Sequence, residues 1–187
     1  MTGAGLVTLG YVLGILHDLA SYRRTPAVKP VLLVTALMAH VFGAWMLLVR
    51  SPRVALPAGI RRSALVLSVL TFAGMVYSIA VEIPFRKAWV DRGHTSRLIS
   101  TGTYSVSRHP GVLWTSIWVP CAAVASGSKA LMRWWPVVVA GDVAYVWIED
   151  RFILPRVFGE EYREYQARVP FLIPLRIGRL TGQPKKQ

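Results

Sequence analysis

A chain of 187 residues that is 53% hydrophobic and only 17% charged is too apolar for an ordinary soluble domain of that length. Its formal net charge of +13 would suit a nucleic-acid partner if the basic residues were spread over a fold. They lie between apolar runs instead, which excludes nucleic acid as the partner and points to membrane topology and affinity for anionic lipid.

The first uncharged run, Met1–Leu16, has no basic residue ahead of it and no clear small-residue cleavage site, so it reads as a span rather than a signal peptide. Pro30–Val49, Ser63–Val81 and Pro110–Ser128 follow, each near the about 20 helical residues that a bilayer core of about 30 Å requires. A fifth run, Trp134–Ile148, is interrupted only by Asp142. None alternates with period two over about ten residues as a membrane barrel would, and helices satisfy their own backbone in lipid.

The expected fold is therefore all-α, a polytopic membrane bundle of about five transmembrane helices in one membrane domain. Three spans occupy residues 1–81, and residues 82–187 form a functional half with a cytoplasmic-face cofactor pocket and an amphipathic C-terminal helix. With the N-terminus outside, the inward loops hold Arg23, Arg24, Lys29, Arg86, Lys87, Arg92, Arg97 and Arg108 together with a basic tail. The outward loops hold Arg50, Arg53, Arg61, Arg62, Lys129 and Arg133. This is the positive-inside bias, and it puts the C-terminus in the cytoplasm.

The single Cys121 lies in the fourth span and can form no intrachain disulfide. The chain has no CxxC pair, HExxH, GxxxxGK[ST] or GxGxxG motif. The usual soluble signatures for zinc, nucleotide phosphate and dinucleotide are thus missing, and no metal site is expected.

Most of the unusual polar residues fall in the second half. A loop over residues 82–109 separates the third and fourth spans, and the acidic, aromatic stretch "IEDRFILPRVFGEEYREYQARVP" follows the fifth. Spans four and five form a hairpin, so the chain crosses twice between the two segments and returns them to one side. Within the loop, Arg108 and His109 precede Pro110, whose preset φ suits the first turn of a helix. A helix N-terminus beside an arginine makes a site for a carboxylate or phosphate.

In the fifth span Asp142, Tyr145 and Glu149 share one helical stripe. A carboxylate there must face a polar cavity or a partner, either a cofactor or a structural contact such as His17 or His40. Tyr162, Tyr165 and Val169 recur at helical spacing in the tail. They belong either to a helix lying in the headgroups or to the pocket.

The order "TGTYSVSRHP", hydrophobic hairpin, "IEDRF", "FGEEYREYQARVP" resembles the isoprenylcysteine carboxyl methyltransferase and phospholipid methyltransferase group of integral membrane enzymes, over Arg92–Pro174. The resemblance implies S-adenosylmethionine as methyl donor and a lipophilic or lipidated acceptor entering from the bilayer. It implies that Leu98, Ile99, Tyr104, His109, Pro110, Gly111 and Val112 line the cofactor, and that Glu149 or Asp150 accepts hydrogen bonds from it.

That group's corner reads RHPxYxG, whereas here Val112 and Trp114 stand in place of the tyrosine and glycine. The arginine that precedes the acid pair in carboxyl methyltransferases is also missing, so either Arg168 or Arg151 takes its catalytic role toward a carboxylate, or the acceptor is not a prenylcysteine carboxylate at all. Two other readings fit parts of the pattern. One is an NADPH-dependent membrane reductase like the sterol reductase group, whose corner is similar. The other is a non-catalytic relative with a decayed pocket.

Overall fold

The structure, a computed structural model, describes residues 2–22, 28–83 and 98–173. Arg23, Arg24, most of the long loop with Arg86, Lys87, Arg92 and Arg97, and the tail from Pro174 lie outside the described residues. Within them the chain is helical, with one isolated antiparallel bridge between Arg53 and Ser128.

Three helical stretches are long and apolar enough to cross a membrane. The first is Gly3–Ala20, within α1 (Gly3–Tyr22); the second is α2 (Lys29–Val49). The third, Ala58–Glu82, joins α3 (Ala58–Val76) to a π-helical turn at Tyr77–Glu82. This is a membrane protein. The first helix runs beyond the uncharged run that announced it and takes His17 and Asp18 with it, because two polar residues that find partners do not end a helix. α4 (Pro110–Ser126) is apolar but 17 residues long, and α5 (Lys129–Ile148) has 20. A π-helical turn, Glu149–Ile153, then leads into α6 (Leu154–Phe158) and α7 (Glu160–Arg168).

Two tight pairs build the bundle, α1 on α2 and α3 on α4, and α5 packs against α4, α1 and α2. The first pair meets backbone to backbone. A Cβ on Gly43 would lie 2.7 Å from the Gly3 carbonyl oxygen, and one on Gly3 would lie 2.8 Å from that of Gly43. Hydrocarbon offers helices no hydrophobic reason to associate, so such small-residue contacts supply the dispersion energy. Large side chains on the outer faces of α2 and α3, such as Met38, Val41, Val66 and Leu70, are mostly exposed and suit lipid contact.

One end of the bundle is stitched shut by its links. Val54 N–H donates to the Gly127 carbonyl at 2.7 Å and Lys129 N–H to Pro52 at 3.0 Å. Arg53 Nη1 and Arg61 Nε donate to the Ser126 and Ala125 carbonyls at 2.8 and 3.2 Å. Two cations thus sit on the last carbonyls of α4, where the helix dipole is negative and the backbone lacks acceptors' partners. Ser128 caps α5 by accepting from Leu131 N–H at 3.2 Å, and its hydroxyl donates to the Leu47 carbonyl at 2.5 Å. The other end holds the candidate site.

Candidate functional site

The site starts from the residues that deliver the chain to α4. A 3₁₀ turn at Gly102–Ser105 docks on the end of the third membrane-length helix. Gly102 has φ +61°, and a Cβ there would fall 1.9 Å from Glu82 Oε1, so no other residue lets the chain pass at this point. Glu82 accepts from Thr103 N–H at 2.9 Å and from the Thr103 hydroxyl. Tyr104 is buried, and its hydroxyl donates to the Ser78 carbonyl at 3.3 Å.

Trp114, which stands where the resembled family has glycine, donates from its indole nitrogen to Ser78 Oγ at 3.2 Å. Its ring lies across Gly74, where a Cβ would come within 2.8 Å. Val112 is buried. The substituted corner is therefore packed against α3 rather than left hollow.

His109 precedes the first turn of α4 and Pro110 starts it. The anion that this corner attracts is supplied by the chain itself. Arg108 grips Asp150 with a two-point fork, Nε to Oδ1 at 2.9 Å and Nη2 to Oδ2 at 3.1 Å. His109 Nε2 lies 3.2 Å from Oδ1; a carboxylate only accepts, so that nitrogen carries the ring proton. The Tyr162 hydroxyl donates to Oδ1 at 2.6 Å and Gln166 Nε2 to Oδ2 at 3.1 Å.

Arg108 is itself anchored by donating from Nη1 to the Gln166 and Val169 carbonyls, both at 2.9 Å. Burial pushes the Asp150 carboxyl up, but the hydrogen bonds from His109 and Tyr162 and the charge and hydrogen bond of Arg108 outweigh it and hold the group at about 2. The helical hairpin of α4 and α5 thus brings the RHP corner and Asp150 together.

Glu149 differs in every respect from its neighbour. Its carboxylate accepts no hydrogen bond among the described residues. Its titration is pushed well above the usual carboxylate range, first by burial and then by the charges of Asp18, Asp150 and Asp142. Tyr104, Tyr145 and Tyr162 all lie within its field.

The first half of the chain also contributes. Tyr145 donates to Asp18 Oδ2 at 2.6 Å, and Asp18 Oδ1 lies 3.0 Å from His17 Nδ1, with both α1 residues buried. The acidic stripe on α5 therefore makes a structural contact beside His17, while Asp142 faces Thr115 of α4. A His-Asp pair inside an otherwise uncharged helix was the signal for this, and reading function only into the second half passes over it.

The stripe in the tail is buried inward. Tyr162 and Tyr165 are 1% and 2% exposed and pack with Val169 against Leu98, Leu154 and Phe158. The Asp150 carboxylate and the Tyr104 carbonyl, which accepts from Tyr165 at 2.6 Å, hold both hydroxyls inside the protein. Gln166, one turn beyond Tyr162 on the same helix, is the partner that sequence reading missed.

Of the residues expected at the cofactor, Tyr104, His109, Pro110 and Val112 are buried together around the corner. Leu98 and Ile99 are half-buried, and a Cβ on Gly111 would come within 2.9 Å of Ile79. Arg168 is not brought to the cluster. It is exposed on α7, where Nε donates to the Glu164 carbonyl at 3.3 Å, and Arg151 is exposed as well. Comparison of the chain with protein-family models, with curated proteins and with solved structures finds no match.

Proposed function

We propose that this chain is an integral membrane methyltransferase that carries a methyl group from S-adenosylmethionine to a lipophilic acceptor. In this reading α4 and α5 complete five spans, with the N-terminus outside and the site on the cytoplasmic face. The observation that carries it is the division of labour in the acid pair. Asp150 spends its carboxylate on the fold, whereas Glu149 is left without a hydrogen bond among carboxylates and tyrosines at the same end of the bundle.

Such a site favours a cation with hydrogen-bond donors, as a sulfonium cofactor with an amino group and a ribose is. The residues present fit that group in part. Glu149 would hold its donors, with Tyr104, Leu98 and Ile99 beside it, while Asp150 and His109 act by fixing the corner rather than by touching the ligand. When bound, the cofactor supplies an electrophilic methyl. The chain's own contribution is to align the reactants and exclude water, since displacement at a sulfonium methyl needs orientation more than proton shuttling. Arg168 receives no role.

The test is transfer of radiolabelled methyl from S-adenosylmethionine into a total lipid extract by the purified protein, together with calorimetric binding of the cofactor in detergent. Counts in the lipid fraction and binding that weakens in Glu149→Ala are expected. Well-folded protein that neither binds the cofactor nor labels lipid would refute the reading.

A further inference from the structure

We infer that the groove between α1 and α5 seats one hydrocarbon chain drawn from the bilayer. It encloses about 400 Å³, within the roughly 300–1,000 Å³ typical of ligand pockets. Its floor is made of small residues on α5, Ala140, Gly141 and Ala144, and both alanines remain exposed, so it opens away from the bundle.

Three polar side chains line it, and each is already engaged within the protein. Thr8 donates to the Ala4 carbonyl at 3.1 Å, Tyr11 to the Val138 carbonyl at 3.0 Å and Tyr145 to Asp18 at 2.6 Å. The wall therefore offers the groove no unmet hydroxyl hydrogen. Water would find few partners there, and a polar headgroup would be stranded. A methylene chain leaves no hydrogen bond unmet on entering, and close contact with both walls offsets the chain freedom it gives up.

One end of the groove is closed by Tyr145 and Ile148, next to Glu149, so a chain seated in it would bring its polar end to the candidate site. The inference rests on the five-span arrangement proposed above and not on methyl transfer.

The experiment uses the full chain in phosphatidylcholine nanodiscs, irradiated with palmitic acid carrying a diazirine and mapped by peptide. Labelling of residues 7–15 and 137–148 is expected to exceed that of residues 65–72 on the outer face of α3 several-fold, and unlabelled palmitic acid should compete it away. Ala144→Trp, at an exposed position, should bring it down to the α3 level with the helical circular dichroism unchanged. Ala140→Phe is the second variant, and competition in the unmodified protein decides the matter if neither folds.

Equal labelling of the two surfaces, or labelling that excess palmitic acid leaves unchanged, overturns the inference, because lipid that merely surrounds a bundle is not saturable. Saturable labelling in a protein that transfers no methyl group would count against the proposed function and leave the groove standing.

Discussion

The two ends of this bundle are closed by the same kind of bond and differ in what they leave over. At one end Arg53 and Arg61 meet helix carbonyls, Ser128 caps α5, and the links bond to each other. At the other, Arg108, His109, Tyr162 and Gln166 close on Asp150, and the adjacent Glu149 is given nothing. A half-buried carboxylate set among like charges with no donor of its own is costly, and a ligand could supply what the fold withholds. Closure alone is architecture; the unmet carboxylate beside it is what the proposed function rests on.

The largest effect is expected from breaking the closed half of that pair. Arg108 and Asp150 are 11% and 8% exposed at their side chains, and removing one partner of a buried ion pair costs about 3–5 kcal/mol. Asp150→Ala and Arg108→Ala should each lower the thermal midpoint in detergent severely. The double variant should lose less than the sum of the two, since neither then strands a charge.

Acid tests the same bond. A carboxyl held at about 2 rather than the ordinary 3.8 contributes stability that is complete above the ordinary value and is lost as pH falls through the folded one. The contribution of Asp150, taken as the difference in midpoint between the unmodified protein and Asp150→Asn, should be level from pH 5 to 8. It should shrink only below about pH 4. A difference that instead grew on acidification would show that the pair is not ionised in the folded protein.

Much of this end was legible in the sequence. The helical hairpin between "SRHP" and "IEDRF" brings Arg108 to Asp150, and the proline and its neighbours mark the start of α4. What was not legible is which acid does what. Glu149 and Asp150 are adjacent, and only the rotation between successive residues of the π-helical turn decides that Asp150 meets Arg108 while Glu149 lies in the field of Asp18.

Gln166 escaped notice because one amide on a charged amphipathic helix carries no signature. Asp18 escaped because the apolar run seemed to end two residues earlier. Charge counting assigns Arg53 and Arg61 only to topology, whereas both are bonded to the last carbonyls of α4, a use that counting cannot see.

A smaller effect is expected at the unmet acid. Glu149→Gln keeps the shape and fixes the side chain in a neutral form, so stability should be unchanged or slightly raised. Affinity for S-adenosylmethionine should fall roughly 10- to 100-fold, the value of a charge-assisted hydrogen bond. Because the folded protein holds this carboxyl protonated well above the usual range, a bound cation must draw the proton off. Binding should then release protons and tighten as pH rises toward that raised value. Calorimetry in buffers of different ionisation enthalpy measures the release directly. Binding without proton release, or unaltered binding by Glu149→Gln, would place the cofactor elsewhere.

The smallest effect separates two exposed arginines, one expected at the chemistry and one counted only for topology. Arg168 belongs to the RVP stretch of the resembled family, but its side chain reaches only the Glu164 carbonyl within its own helix, at 3.3 Å and in solvent. Arg53, at the opposite end, caps α4 at 2.8 Å. Arg168→Ala should leave cofactor affinity and methyl transfer within error of the unmodified protein. Arg53→Ala should cost about 0.3–1 kcal/mol, the worth of a cation on a helix C-terminus, and leave binding intact. Loss of activity in Arg168→Ala at full stability would mean that α7 turns this side chain toward the acceptor when substrate is present.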